Sequence, residues 1–490
     1  MKKFFKVIFI LIISINTAFA THTTEKTFFL PRSHGVNLPM EYTAWNEFLS
    51  QNTEEQFGTN FQVVPFYQES LNGTDLGKYF GVKNKISFNL HSGQEEDVRG
   101  TYIIHDATTA AGNVNLATIE IYPHQKATGI RFDYFQNLER VMENLYLKVA
   151  IPIIFLKNTM NLKIKEGTAK DTFLDYFKGK IDIDFDSAGI ISGQAHNSAQ
   201  ESLTHAKIPH DYDYTAVDVA DIDIIFGYNV LNNNRYKASI NLGFSFPTGE
   251  EPSGFYVFES IVGGGNHWSL NAGINSNATM WKHKSKNLKL NFALNYKYLF
   301  QSTEKRTLKL KGLPYSQYYL IGKIGSIRNQ TKFIPAANIL TRNINVTPGS
   351  QIDTILGFSY NHSGLIIDVG YNFFWKNKES VSSKDHWFDG KYGILHPEQI
   401  LEGNKSFELS DNPVAAGVDG GAEKLIYEQD LDIQAASTPS LVTHKIYGSL
   451  GYLCLKLKRP IMLGFGCSYE FAEKYALENW QIWTKMGITF

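Results

Sequence analysis

The chain has 490 residues, of which 43% are hydrophobic and 19% charged, a composition typical of a folded protein rather than a disordered one. Its 47 basic and 48 acidic side chains give a formal net charge of −1, which argues against nucleic acid as a partner because nucleic-acid-binding proteins carry a basic surface. Only two cysteines are present, which excludes a disulfide-rich scaffold and a four-cysteine metal site.

The first twenty residues have the pattern of a secretory signal peptide. Three lysines lie within the first six residues, an apolar run follows, and Ala18-Phe19-Ala20 supplies the small residues that precede a cleavage site. We therefore expect the chain to be exported and cleaved after Ala20. The apolar run is shorter than the ~20 residues of a membrane-spanning helix, which disfavours a permanent anchor.

From residue 116 onward, apolar and polar residues alternate in long segments. In residues 288–300, an apolar and aromatic set alternates with a mostly polar or small set over 13 positions. Successive side chains of a strand point to opposite faces, and a membrane-crossing strand needs ~9–11 residues. The sequence therefore predicts an all-β protein, a single transmembrane antiparallel up-and-down barrel over residues 116–490. The predicted strands are 116–122, 127–135, 145–156, 220–230, 236–246, 267–278, 288–300, 352–360, 365–375, 446–456, 461–471 and 480–490.

The connections between these strands are alternately short and long, as in outer-membrane barrels with short periplasmic turns and long extracellular loops. These strands number twelve, and a further pair around 318–323 and 332–344 would make fourteen. Residues 21–115 contain no matching long strand, so they plug the lumen, lie in the periplasm or form short strands. The predicted tight turns are 231–234, 361–364 and 458–460, and the predicted long loops are 157–217, 247–266, 301–350 and 376–444.

The last strand, WQIWTKMGITF, resembles the C-terminal strand of Gram-negative outer-membrane barrels. Met486, Ile488 and Phe490 match that pattern of a terminal aromatic residue preceded by apolar residues at every second position. The resemblance implies that these three residues form the signal read by the barrel-assembly machinery. It also implies residence in the cell outer membrane, with outer-membrane lipids as partners.

Weaker resemblances concern function. Phe246-Pro247-Thr248-Gly249 is similar to the end of a strand in bacterial channels for hydrophobic compounds, and the chain length is similar to that of long-chain fatty-acid transporters. His267 and Ser269 share a strand face, as do the catalytic residues of outer-membrane phospholipases, but the H-x-S-N-G run of that family is not met. We therefore do not expect an enzyme.

The polar face of the strands is expected to line the lumen and to suit water and small solutes without a strong ion preference. No cofactor or metal site is predicted, because Asp182, Asp184 and Asp186 lack the rest of a calcium loop. A porin-like channel or transporter for small solutes is the first hypothesis, and a structural barrel acting through its extracellular loops is the alternative. The predicted lumen-lining residues are Asp221, Asp223, Lys237, Asn241, Lys289, Asn295, Asp353, Asp368, Glu470 and Lys485.

Overall fold

The computed structural model describes most of the chain, and the predicted signal peptide and cleavage site lie outside the described residues. The described residues are 25–35, 37–44, 58–71, 73–92, 97–104, 114–180, 183–184, 199–209, 214–323, 332–395, 422–454, 456–473 and 476–490.

Twelve long antiparallel strands, each bonded to its neighbours in the chain, form one sheet. The sheet closes on itself because β12 pairs with β1, for example through Asn60 opposite Thr489 and Phe61 opposite Ile488. The strands are β1 Thr59–Ser70, β2 His124–Asn137, β3 Leu145–Thr159, β4 Ile222–Asn232, β5 Tyr236–Phe246, β6 Ser269–His283, β7 Lys286–Leu299, β8 Gly349–His362, β9 Leu365–Lys376, β10 Leu441–Cys454, β11 Ile461–Ala472 and β12 Asn479–Thr489.

The prediction of a closed twelve-stranded barrel is therefore confirmed, but one of its members was wrong. Strand β1 lies at 59–70 and pairs with both β2 and β12, so the barrel begins well before residue 116. Residues 116–122 contribute instead to a small sheet outside the barrel. The pair that would have made fourteen strands, Leu320–Lys323 and Lys332–Pro335, also pairs outside the barrel.

The two faces of the barrel differ as the alternation predicts. Leu242 on β5 points outward and is 63% exposed, whereas its neighbour Asn241 points inward and is 8% exposed. The register carries this division from strand to strand, since Asn241 lies opposite Gly273, which lies opposite Asn295, which lies opposite Asp353. The outer surface of the barrel is therefore apolar, and the closed sheet leaves no strand edge unpaired. Both features suit the hydrocarbon layer of a membrane.

The two ends of the barrel also differ. The connections 233–235, 284–285 and 363–364 are short and lie at the end where β1 begins and β12 finishes. At the opposite end the long connections fold together into a cap. Its buried apolar core brings together residues distant in the chain, such as Phe88, Phe173, Phe258 and Tyr318.

The cap contains several short strands and helices. No helix in the described part of the chain is long and apolar enough to cross a membrane. The short strands outside the barrel are Ser87–His91, Val98–Arg99, Asn115–Glu120, Lys163–Ile164, Ile183–Asp184, Ala199–Gln200, Thr215–Val219 (beside β3), Ser302–Thr307, Lys309–Leu310, Leu320–Lys323, Lys332–Pro335, Thr341–Thr347, Ser380–Ser383, Tyr392–Leu395, Ala422–Leu425 and Leu431–Asp432. The α-helices are α1 Leu38–Tyr42, α2 Thr74–Phe80, α3 Lys170–Phe177 and α4 Ala336–Leu340, and the 3-10 turns are Val82–Asn84, Gly100–Tyr102, Ser316–Tyr318, Glu428–Asp430 and Ile433–Ala436.

Candidate functional site: the occupied lumen

Residues 25–35 and 37–44 run through the lumen from the cap toward the short-turn end, and we call them together the strap. Its upper part is bonded to the cap, where the Thr27 amide donates to the Ala435 carbonyl at 3.1 Å. Its lower part reaches Ala44, which packs with Ile366 and Met462 near the short turns. Within the N-terminal part of the chain, the strap lies inside the barrel, while residues 59–70 belong to the barrel wall.

The upper end of the strap lies against a buried chain of charges in the cap. Arg306 forms ion pairs with Glu304 at 2.8 Å and with Glu379 at 2.6 Å, and all three side chains are fully buried. The Arg306 guanidinium stacks on the ring of Phe28 at 3.6 Å from its centroid. Burial alone would raise the pKa of Glu379, but the positive charges of Arg306 and Lys376 outweigh it and lower that pKa below its usual value.

The middle of the strap is held by an ion pair with the wall. Arg32 donates to Asp353 of β8 at 2.6 Å and lies 3.6 Å from Glu470 of β11. Lys445 of β10 bonds the other oxygen of Glu470 at 3.0 Å. Two of the predicted lumen residues, Asp353 and Glu470, are thus brought together by an arginine that the sequence did not single out.

The lower part of the strap is the short helix α1. The side chain of Asn37 caps the start of this helix, because its oxygen accepts a hydrogen bond from the backbone N–H of Met40. The side-chain Nδ2 of Asn37 donates to Oε1 of Gln481 on β12 at 2.5 Å. At the other end, Lys485 of β12 donates to the carbonyls of Met40, Glu41 and Thr43 at 2.8–2.9 Å. Lys485 therefore satisfies carbonyls that a helix C-terminus otherwise leaves unpaired.

Glu41 of α1 binds two cations of the wall. One of its oxygens accepts from Arg131 of β2 at 3.2 Å, and the other from Lys148 of β3. Asp133 accepts from the Nε of Arg131 at 2.7 Å and so fixes the plane of the guanidinium. Below this group, the Ala44 amide donates to Asp368 of β9 at 3.0 Å.

The strap leaves one side of the lumen open. A cavity of about 60 Å³, which is room for a few water molecules, lies between the strap and the wall from β2 to β9. Asn241 and Asn295 flank Gly273 on this wall, and Lys297 pairs with Asp223 at 3.3 Å.

The structure places the predicted lumen-lining residues at different heights. Nine of them lie in the barrel strands on the inner face, and Asp221 lies just before β4. Asp353, Asp368, Glu470 and Lys485 contact the strap, whereas Asp223, Asn241 and Asn295 border the cavity. Lys237 and Lys289 lie nearer the short-turn end, close to the first residues of β5 and β7. Met486, Ile488 and Phe490, which the sequence predicts as the assembly signal, lie in or directly after β12, and Met486 is exposed on the outer face.

His267 and Ser269 do not form a catalytic pair. Both ring nitrogens of His267 face oxygen acceptors, Nδ1 at 2.8 Å from the Phe300 carbonyl and Nε2 at 2.6 Å from Glu304. Neither ring nitrogen is therefore directed at Ser269, whose hydroxyl is buried without a partner among the described residues. Of the predicted acidic cluster, Asp182 and Asp186 lie outside the described residues.

Sequence reasoning missed the strap because it carries no periodic signal. Arg32 and Glu41 stand alone in an aperiodic stretch, and only the register of distant strands shows what they face.

Comparison with known proteins gives no match to a family model and none to a curated protein. Solved structures that resemble this one include the COG4313 outer membrane channel from Pseudomonas putida F1, at a TM-score of 0.38 and 9% identity over 88% of this chain and 95% of that one. The Pseudomonas putida toluene transporter TodX gives a TM-score of 0.34 and 8% identity over 94% and 98%. A Pseudomonas aeruginosa FadL homologue gives 0.30 and 7% over 88% and 90%. At this level of similarity, the solutes that those proteins transport give no information about the function of this chain.

The class of the protein follows from its own architecture. A closed antiparallel sheet, an apolar outer surface and a polar interior together define a transmembrane β-barrel of the outer-membrane type. The polar interior distinguishes it from a soluble barrel, in which the inner face is the apolar one.

Proposed function

We propose that this protein is an outer-membrane channel for small solutes, closed by its strap and opened when the strap leaves the lumen. The observation that carries the proposal is the nature of the strap contacts. Arg32, Glu41 and Ala44 are held by ion pairs and hydrogen bonds to a polar wall, for example Arg32 on Asp353 at 2.6 Å. Water and solutes can replace such contacts, which they cannot do for a tightly packed apolar core.

The location and biogenesis of the barrel belong to the same proposal. Residues 1–20 act as the signal peptide, with cleavage after Ala20, and the barrel then inserts among outer-membrane lipids. Met486, Ile488 and Phe490 are recognised by the barrel-assembly machinery. In support, β12 is the strand that closes the barrel on β1, where the Phe490 amide donates to the Thr59 carbonyl at 2.9 Å.

Conductance in planar bilayers tests the channel. Arg32→Gln removes the ion pairs to Asp353 and Glu470, so we expect it to open more often than the wild type. Lys165→Gln is the matched control, since it removes an ion pair to Glu120 on the surface of the cap, away from the strap. If Arg32→Gln and Glu41→Gln both stay as silent as the wild type, the barrel acts through its cap rather than as a channel.

A further inference from the structure

We propose that Arg131 and Lys148 form a carboxylate-binding site of the channel, which the protein's own Glu41 occupies in the closed state. Solutes that bear a carboxylate compete with Glu41 for this site and so favour opening. The inference rests on the proposed channel function and names the class of solute that the channel recognises.

The geometry is that of a built anion site. Arg131 and Lys148 lie on adjacent strands, and their side chains are 4% and 13% exposed. Each oxygen of Glu41 has its own cation, so the pair recognises the two oxygens of a carboxylate separately. Asp133 holds the guanidinium from the other side, which keeps the site in place when Glu41 is absent.

The site is open to the unfilled side of the lumen. Arg131, Asp133 and Lys148 all line the cavity, which continues along the wall to Asp223 and Asn241. One oxygen of Asp133 and the carbonyl oxygen of Asn271 are buried there without a partner among the described residues. A solute that enters the cavity therefore meets the two cations, which can bind its carboxylate, and two acceptors, which can bind donor groups on the rest of the solute.

The charge of the wall favours anions beyond this one site. By register, the inner face of the twelve strands carries more basic than acidic side chains, and the strap covers part of this excess, because Lys148, Lys376 and Lys485 all donate to it. An opened lumen therefore attracts negative solutes. The basic residues are Arg131, Lys148, Lys237, Lys282, Lys289, Lys297, Lys376, Lys445 and Lys485, and the acidic ones are Asp133, Asp223, Asp353, Asp368 and Glu470, with Asp221 just before β4.

This inference replaces the expectation of a lumen without ion preference. That expectation treated the positive and negative charges of the predicted lumen residues as balanced. It did not include the basic residues Arg131, Lys148 and Lys376. Because an occupant is already in place, the structure also gives the chemistry of the ligand. The side chain of Glu41 is chemically equivalent to propionate, which makes propionate the natural probe.

Binding is measured first, by calorimetry on the detergent-solubilised full-length barrel. Glu41→Ala removes both the carboxylate and the side chain that fills the site, so we expect this variant to bind propionate, whereas propionamide, the neutral counterpart of propionate, does not bind. Adding Lys148→Gln to Glu41→Ala removes one charged donor and weakens binding by about tenfold, while adding Lys165→Gln changes nothing. Equal binding of propionate and propionamide overturns the site, and tighter binding of inorganic phosphate than of propionate overturns the carboxylate assignment.

Conductance then separates this inference from the channel proposal. Propionate, but not propionamide, raises the open fraction of the wild type at constant ionic strength, and the reversal potential of Glu41→Gln in a KCl gradient lies on the chloride side. A barrel that conducts but prefers potassium keeps the channel and refutes the anion assignment. A barrel that binds propionate but never conducts keeps the site and refutes the channel.

Discussion

Neighbouring residues of one strand meet opposite surroundings in this barrel. Leu294 and Asn295 are adjacent in the middle of β7, yet Leu294 faces the membrane side and Asn295 the cavity. A charge on the lipid side must be transferred into hydrocarbon, whereas a charge on the lumen side stays among polar groups. The same substitution at these two positions therefore reports which face is which.

We expect Leu294→Arg to cost ~2–4 kcal/mol of stability near the midplane of the bilayer, and Asn295→Arg to be tolerated. The measurement is the temperature or urea concentration at which the folded band is lost from a heat-modified gel. Equal losses in the two variants would mean that the faces are assigned wrongly.

Lys26 gives a pH dependence to the docking of the strap on the cap. Burial lowers the pKa of its ammonium from 10.5 to about 8, although it donates to the Gln434 carbonyl. Between pH 8 and 10.5 the unfolded chain therefore binds more protons than the folded one. Because stability rises with pH where the unfolded state holds more protons, this lysine makes the folded cap more stable toward pH 10.5.

Lys26→Met should remove that contribution, about 1–3 kcal/mol, so that the variant gains less stability than the wild type between pH 8 and 10. Thermal unfolding at both pH values measures the difference. Lys311→Met is the control, since this exposed lysine also donates to a backbone carbonyl, that of Gln429 at 2.8 Å. The same pH dependence in wild type and Lys26→Met would show that burial of this ammonium does not matter.

At the scale of elements, inward aromatic rings lie across glycines of the neighbouring strands. Trp483 of β12 covers Gly466 of β11, where a Cβ atom would approach its ring to 2.3 Å. Tyr447 of β10 covers Gly370 of β9 in the same manner. A ring that lies flat against the wall takes up little of the lumen, so these pairs leave room for the strap.

Gly466→Ala should therefore destabilise the barrel by about 1–3 kcal/mol, because the added methyl group forces the ring of Trp483 away from the wall. Gly464→Ala is the matched control two residues earlier on the same face, where the nearest atom to a Cβ lies at 3.6 Å. Urea unfolding of the two variants compares them, and similar midpoints would contradict the close packing of Trp483 on Gly466.

The sequence was sufficient for eleven of the barrel strands because their alternation follows from the two environments that each strand separates. It failed for β1 because Val63, Val64 and Pro65 interrupt the alternation, and proline disfavours the interior of a sheet. The pairing of β1 with β12 passes from Val63 to Phe66 with no pairs between them. Residues 116–122 alternate equally well, but their apolar side chains pack in the core of the cap. Alternation alone does not distinguish a strand face that packs on a protein core from one that meets lipid.

The candidate site was less predictable than the fold. Alternation assigns Asp353, Glu470 and Lys485 to the inner face, but it says nothing about what lies inside the barrel. The partners of these residues come from the aperiodic strap, more than 300 residues away in the chain. Such contacts depend on the closed shape of the sheet rather than on any local pattern.

At the scale of the whole molecule, the barrel combines a lipid-facing outside with a lumen that its own chain fills in part. The cap rests on one end, and the strap joins the cap to the lower wall through Thr27, Arg32 and Lys485. In the proposed channel function, opening of the lumen involves the N-terminal segment and does not require the barrel wall to change. This arrangement depends throughout on the apolar face of the strands meeting lipid.

Site-directed spin labelling along β5 tests this dependence most directly. With Cys454 and Cys467 replaced by serine, single labels are placed from Ser239 to Ser245 in the barrel reconstituted in lipid. If the apolar face meets lipid, accessibility to lipid-dissolved oxygen alternates with a period of two, high at 240, 242 and 244 and low at 239, 241, 243 and 245. Uniform accessibility along the strand, or access of a water-soluble nickel complex to 240, 242 and 244, would contradict it.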